Sequence, residues 1–165
     1  MEYAYISAIG QDSHRFEHDI DIDTKIVLGG VEIPNNRKLS ANSDGDVILH
    51  ALTNAVSGYT TVNVLGYSAD KMCLEQGITD SRVYLAEALS HLGDASICHV
   101  SVSVECLVPK LKPHIPAIRT SIAGLLGMPE TSVGITATTG ERLTGPGRGE
   151  GISVFAVITV KKPLE

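Results

Sequence analysis

The segment Ile152-Ser-Val-Phe-Ala-Val-Ile-Thr-Val160 is apolar on both faces of an extended chain, Ile152, Val154, Ala156, Ile158 and Val160 alternating with Phe155 and Val157. Residues two apart in a strand share a face. A strand of this kind has no side to give to water, so both its faces should be covered. One cover is a layer of helices. Three helical stretches can be read for it, which leaves the second face to a neighbouring subunit. His99 to Cys106 is patterned differently: Val100, Val102, Val104 and Cys106 point one way, and His99, Ser101, Ser103 and Glu105 the other. The first set meets the helices; the small polar set meets solvent or another subunit.

Tyr3 to Asp12 and Val133 to Thr138 read as further strands, and Lys25 to Ile33 as two short ones turning at Gly29-Gly30. The first helix is expected from Asp44 to about Tyr59, with Ser43 as N-cap and Asp46 completing an [ST]-x-x-[DE] capping box. Asp46, His50 and Asn54 then form a polar stripe, and Leu49, Leu52 and Val56 the packing face. Ser81 to Leu92 is the second helix. The third carries Ile115, Ile118, Ile122, Leu125 and Leu126 at helical spacing and stops at Gly127. Tyr59 to Thr79 shows no clear period and is expected to be a loop with at most a short helical turn, either functional or a tolerated surface excursion.

The expectation is an α/β (α+β) fold: a single-domain sandwich over residues 1–165, with a mixed β-sheet and helices on one face. A chain of 165 residues with 43% hydrophobic and 19% charged residues suits one soluble core. Its formal charge of -6 argues against a Lys/Arg-built nucleic-acid surface, though not against an anionic small molecule met by local groups. Three cysteines without a CxxC spacing suggest reduced thiols and a cytoplasmic protein. No leader pattern and no apolar run near 18 residues is evident, so no membrane partner is expected.

In extended backbone Asp12 and His14 project to one face and can converge on one point. With His50 aimed from a capped helix they make an O, N, N set suited to zinc, leaving one position open. The Asp-x-His spacing alone is common, and a histidine on a polar stripe is more often a solvated or merely hydrogen-bonded one. Pro109 to Pro116 is a stiff segment that sets Lys110 and Lys112 before a helix, where ordinary loop lysines also sit. Gly145 to Gly151 is a glycine-rich loop with Arg148, compatible with an anion or with a plain tight turn.

Together these motifs resemble the 2-C-methyl-D-erythritol 2,4-cyclodiphosphate synthase family. The matching stretches are Gly10-x-Asp12-x-His14-x-Phe16, Leu28-Gly29-Gly30-Val31-x-Ile33-Pro34, Ser43-Asp44-Gly45-Asp46-Val47-x-x-His50-Ala51-Leu52-Thr53, Thr79-Asp80-Ser81-Arg82, Pro109-Lys110-Leu111-x-Pro113-His114-Ile115, Ala137-Thr138-Thr139-x-Glu141 and Gly147-Arg148-Gly149-Glu150-Gly151. The resemblance implies a ferredoxin-like fold assembled as a homotrimer, zinc on Asp12, His14 and His50, and a second cation, magnesium or manganese, on Glu141. It further implies substrate contacts at Asp12, Ser13, His14, Asn42, Ser43 and Gly66, and a cytosine-binding stretch at Cys106, Pro109, Lys110, Leu111 and Lys112. Phosphate contacts are implied at Thr138 and Thr139, further substrate contacts at Gly140, Glu141 and Arg148, and Arg148 lies at a cavity on the trimer axis. Catalytic roles fall on Thr139 and Asn42, the latter standing where many family members carry a histidine.

The implied reaction converts 4-diphosphocytidyl-2-C-methyl-D-erythritol 2-phosphate to the 2,4-cyclodiphosphate with release of CMP. The chain departs from the family pattern at Asn42, at Asn63-Val64-Leu65-Gly66, which lacks an aspartate, at Ala69 to Cys73, and at Thr144-Gly145-Pro146, which lacks an aromatic residue. A diverged member that keeps metal and trimer but serves as a binding protein is the alternative. A generic zinc hydrolase is more distant, since no residue stands out as a water-activating base.

Overall fold

The computed structural model describes residues 1–164, without the side chains of Tyr67 and Ser68. Six strands and four α-helices follow in the order β1 (Tyr3–Arg15), β2 (Lys25–Leu28), β3 (Val31–Pro34), α1 (Val47–Thr60), α2 (Tyr67–Gln76), α3 (Ser81–Leu89), β4 (Ser96–Glu105), α4 (Ile115–Leu126), β5 (Val133–Thr138) and β6 (Gly151–Pro163). The main sheet has the order β1-β6-β4-β5, and β2 and β3 form a separate hairpin. The strand with two apolar faces, β6, lies inside the sheet, antiparallel to β1 on one side and to β4 on the other. β4 and β5 run parallel around α4. The sheet is therefore mixed, and β1 and β4 are the outer strands of a split βαβ arrangement with β6 inserted between them.

Alternation decides which side is covered. Val100, Val102, Val104, Ile152, Val154, Ala156, Ile158 and Val160 are wholly or almost wholly buried under the helices. The reverse face carries Tyr5, Ile9, Phe155 and Val157, all exposed within one chain. Helix α1 presses directly onto β1: a Cβ at Gly10 would lie 2.0 Å from the Ala51 carbonyl oxygen and 2.3 Å from the Ala55 nitrogen. Only glycine permits that approach.

Several expectations need correcting. Strand β1 does not close at Asp12 but runs on to Arg15, because Asp12, Ser13 and His14 continue the ladder with Val154, Ser153 and Ile152. The N-cap of α1 is Asp46 rather than Ser43: its side chain accepts from the Leu49 amide. The polar stripe of α1 is not a solvated face, since Asp46 and His50 are buried and Asn54 donates to the Gln11 carbonyl. The segment read as a loop contains the ten-residue helix α2, capped by Gly77 in a left-handed conformation. Its side chains lack a clear periodicity, and it is held by Ala69 and Met72 against the core. Helix α3 ends at Leu89, and turn-type bonds carry the chain on to Leu92. No described helix is long and apolar enough to cross a membrane.

Candidate functional site

The inward face of β1 brings Asp12 and His14 together, and α1 delivers His50 from above. Asp12 Oδ2 lies 3.1 Å from His14 Nε2 and 3.1 Å from His50 Nδ1, and the two ring nitrogens are 3.2 Å apart. These ligand atoms form a nearly equilateral triangle and are a group that could hold a metal ion. A tetrahedral ion with bonds of about 2.0–2.1 Å holds its donors about 3.3 Å apart. One face of such a coordination shell is thus already outlined, and two imidazoles with one carboxylate favour zinc over a hard all-oxygen cation. Burial alone would raise the Asp12 carboxyl, but hydrogen bonds and positive charge from His14 and His50 outweigh it and bring it down to about 2. The carboxylate is kept ionised, as a ligand requires.

The aim of His50 begins with Asp46. This fully buried carboxylate accepts from the amides of Gly29 at 2.8 Å, Gly30 at 2.7 Å and Leu49 at 3.0 Å. It clamps the first turn of α1 to the β2–β3 hairpin and fixes where His50 starts its reach. On the far side of the ring, His50 Nε2 is 2.8 Å from Ser81 Oγ and 3.4 Å from Ser43 Oγ. The His14 and His50 rings meet edge to face, with centroids 5.3 Å apart.

The triad opens into a cleft of about 740 Å³ also lined by Asn42, Ser43, Gly66, Cys73 and Tyr84. Asn42 is exposed there, and its carbonyl accepts from Cys73 Sγ at 2.9 Å, which ties α2 to the loop before α1. Asp12, His14, Asn42, Ser43, Gly66 and His50 therefore converge. Ser13 does not: it points to the opposite face and lines a smaller cavity of about 290 Å³ with Arg15, Pro146 and Glu150.

The remaining expected residues gather beyond the ends of β4 and β5. The Cys106 amide donates to the Thr138 carbonyl at 2.9 Å, so the segment from Cys106 through Pro109, Lys110, Leu111 and Lys112 and the segment Thr138, Thr139, Gly140 and Glu141 stand side by side. Burial pushes the Cys106 thiol up to about 12, and its Sγ bonds the Val108 carbonyl at 3.0 Å. Gly140, Glu141 and Arg142 all have positive φ, a left-handed run that is costly for the two side-chain-bearing residues. Arg148 pairs with Glu150 at 2.9 Å on the surface. None of this second group lines the cleft of the triad. β1 and β5 form opposite edges of the sheet, so within one chain the two groups are separate.

Sequence reasoning assigned no role to Ser81, Cys73 or Tyr84. Of these only Ser81 carried a signal, as the residue after the helix-capping Asp80 in a motif shared with the family.

The profile of the YgbB family matches residues 5–161. The chain is 44% identical over 160 residues to a 2-C-methyl-D-erythritol 2,4-cyclodiphosphate synthase of Chlamydia trachomatis serovar L2b (strain UCH-1/proctitis), covering 96% of this chain and 89% of that one. It is 46% identical, with the same coverage, to the synthase of that name from Chlamydia muridarum (strain MoPn / Nigg). Among solved structures, a 2C-methyl-D-erythritol-2,4-cyclodiphosphate synthase in a CDP-bound form superposes with a TM-score of 0.81 at 29% identity, covering 94% of this chain and 99% of that one. The bifunctional IspDF from Campylobacter jejuni gives a TM-score of 0.86 at 27% identity over 98% of this chain; this chain spans 43% of that one.

Proposed function

Because this chain belongs to the YgbB family, we propose that it converts 4-diphosphocytidyl-2-C-methyl-D-erythritol 2-phosphate to 2-C-methyl-D-erythritol 2,4-cyclodiphosphate and CMP. A 2-phosphate oxygen attacks the β-phosphorus, the bond between that phosphorus and the oxygen bridging to the α-phosphate breaks, and the leaving oxygen departs with CMP. The nucleophile belongs to the substrate, so the chain needs no serine or cysteine nucleophile. It needs alignment and charge neutralisation. The observation that carries the reading is the Asp12, His14 and His50 triangle of donors at 3.1–3.2 Å, lining a cleft of about 740 Å³, a size that suits a small-molecule ligand.

Asp12, His14 and His50 would hold zinc, and Glu141 the second cation, magnesium or manganese. When bound, such ions neutralise phosphate charge and polarise the phosphorus centre. The chain's own groups do the rest. Asn42, exposed in the cleft, donates its amide N–H to a phosphoryl oxygen, without the charge a histidine could add. Lys110 and Thr139 bind diphosphate oxygens, and the backbone around Cys106 to Lys112 receives the cytosine. Ser13 and Arg148, outside the cleft, belong to the neighbourhood of the subunit contacts.

The active unit in this reading is a homotrimer of a single domain, 1–165. The two groups of site residues lie at opposite edges of the sheet, and a neighbouring subunit can bring one group to the other. The exposed apolar reverse face supports the same assembly. The free thiols of Cys73, Cys98 and Cys106 suit a reducing cytoplasm.

The deciding experiment is CMP release from the named substrate by the purified protein with zinc and magnesium present. Turnover above the enzyme-free rate is expected. Zinc-loaded protein that releases no CMP at high substrate would overturn the proposal and favour a diverged binding protein.

A further inference from the structure

His50 uses both ring nitrogens. Nδ1 faces Asp12 and His14, while Nε2 faces Ser81 Oγ at 2.8 Å. Ser81 Oγ is also hydrogen-bonded to Asp44 Oδ1. That carboxylate is anchored as an acceptor, Oδ1 receiving the Asp46 amide at 3.0 Å and Oδ2 the Ser81 amide at 3.0 Å. A serine hydroxyl has one proton. With that proton given to Asp44, Ser81 Oγ meets His50 only through a lone pair, so His50 Nε2 must carry hydrogen. Ser81 is completely buried, so no solvent molecule replaces it. The other neighbour, Ser43 Oγ, is at 3.4 Å and already accepts from the Gly45 amide.

We propose that Ser81 and Asp44 are a positioning pair that holds His50 in its Nε2–H tautomer and so presents the bare Nδ1 to the metal. This rests on the metal-centre reading above. The consequence is chemical as well as geometric. Only the protonated ring can donate from Nδ1 to Asp12 Oδ2, 3.1 Å away; in the neutral ring that a metal ligand requires, Nδ1 turns a lone pair toward the carboxylate, an acceptor facing an acceptor. Such a contact is relieved by a cation between them. The pair also stiffens the site mechanically. The Asp44 amide donates to the Thr79 carbonyl at 2.9 Å, so the start of α3 is fastened to the loop that precedes α1. Partners of this kind typically change metal affinity ten- to a hundred-fold when removed.

The test is zinc affinity of the full chain, by competition with a chromophoric chelator, for wild type, Ser81→Ala, Ser81→Thr and Asp44→Asn. Expected are a ten- to hundred-fold weaker zinc Kd for Ser81→Ala and recovery of near-wild-type affinity by Ser81→Thr, which keeps the hydroxyl. Asp44→Asn is expected to weaken binding as well. A purely structural role would lower the thermal midpoint without moving the Kd. Ring-nitrogen NMR of wild-type protein tests the tautomer independently of whether any variant folds: a proton on His50 Nε2 in the zinc-loaded protein is expected. Wild-type zinc affinity in folded Ser81→Ala, or a proton found on Nδ1, overturns the positioning role and leaves the metal centre standing. Failure of wild-type protein to bind zinc overturns both.

Discussion

At the residue scale the site is governed by two carboxylates with opposite tendencies, Asp46 fully buried and Asp12 half-buried. Burial pushes Asp46 up to about 6, against the pull of three backbone N–H donors from Leu49, Gly30 and Gly29. Removing its carboxylate leaves those amides without an acceptor. Asp46→Ala is expected to cost about 3 kcal/mol or more, since unsatisfied buried donors add to the lost bonds; a urea midpoint measurement checks it, and an unchanged midpoint would refute the clamp. Asp12 goes the other way, lowered from 3.8 to about 2 by His14 and His50 despite its burial. A folded-state value below the unfolded one makes the contribution fully present above about pH 4 and lost as pH falls through about 2. For metal-free protein this acid loss is expected on the order of 1–2 kcal/mol, allowing for partial solvent screening. In Asp12→Asn that component of the pH dependence between about pH 5 and pH 2 should disappear; a curve parallel to wild type would count against the assigned partners.

At the element scale the Asp12, His14 and His50 triangle depends on how closely α1 approaches β1. Gly10 leaves no room for a side chain against the α1 backbone, whereas a Cβ at Gly58 would lie 3.3 Å from the Ile9 carbonyl oxygen, a tight but adjustable contact. Gly10→Ala is expected to lose about 3 kcal/mol, the upper range of overpacking. It should also lower zinc stoichiometry, because lifting α1 separates His50 from Asp12 and His14. Gly58→Ala is expected to stay within about 1 kcal/mol of wild type, its helix propensity offsetting the contact. Thermal denaturation with metal analysis of both proteins decides this. Equal behaviour of the two would mean that the helix–strand distance does not control the site. Helix α2 contributes differently. It has no side-chain N-cap and few anchors, yet it carries Cys73 to the Asn42 carbonyl and so builds one wall of the cleft.

At the scale of the whole molecule, the sheet has one face under helices and one without cover in the single chain. Tyr5 and Ile9 are 64% and 62% exposed, and Phe155 and Val157 are 46% and 38% exposed, although β6 is an inner strand. Apolar groups side by side on adjacent strands make a patch of the kind that marks an interface. Trimer mass is expected from light scattering at micromolar concentration, and Phe155→Glu should shift the protein toward monomer. CMP release should fall with it if, as proposed, a neighbouring subunit brings the two groups of site residues together. A monodisperse wild-type monomer would reject the assembly, and an active Phe155→Glu monomer would reject the shared site.

The sequence by itself determined most of the strands, the two apolar faces of β6, the helix that carries His50, and the convergence of Asp12 with His14. These follow from spacings of two and four residues, which backbone geometry translates directly into faces. Family motifs extended that reading to function. Tertiary structure alone decided that Asp46, not Ser43, caps α1, because its carboxylate is claimed by amides of a hairpin 16 and 17 residues earlier. It also decided that 67–76 is helical, since a segment without periodicity takes its conformation from what packs against it. Only the folded chain set Ser81 and Asp44, 37 residues apart, behind His50. A hydrogen bond between distant residues leaves no mark on local pattern, because its geometry is fixed by the register of strands and the seating of helices.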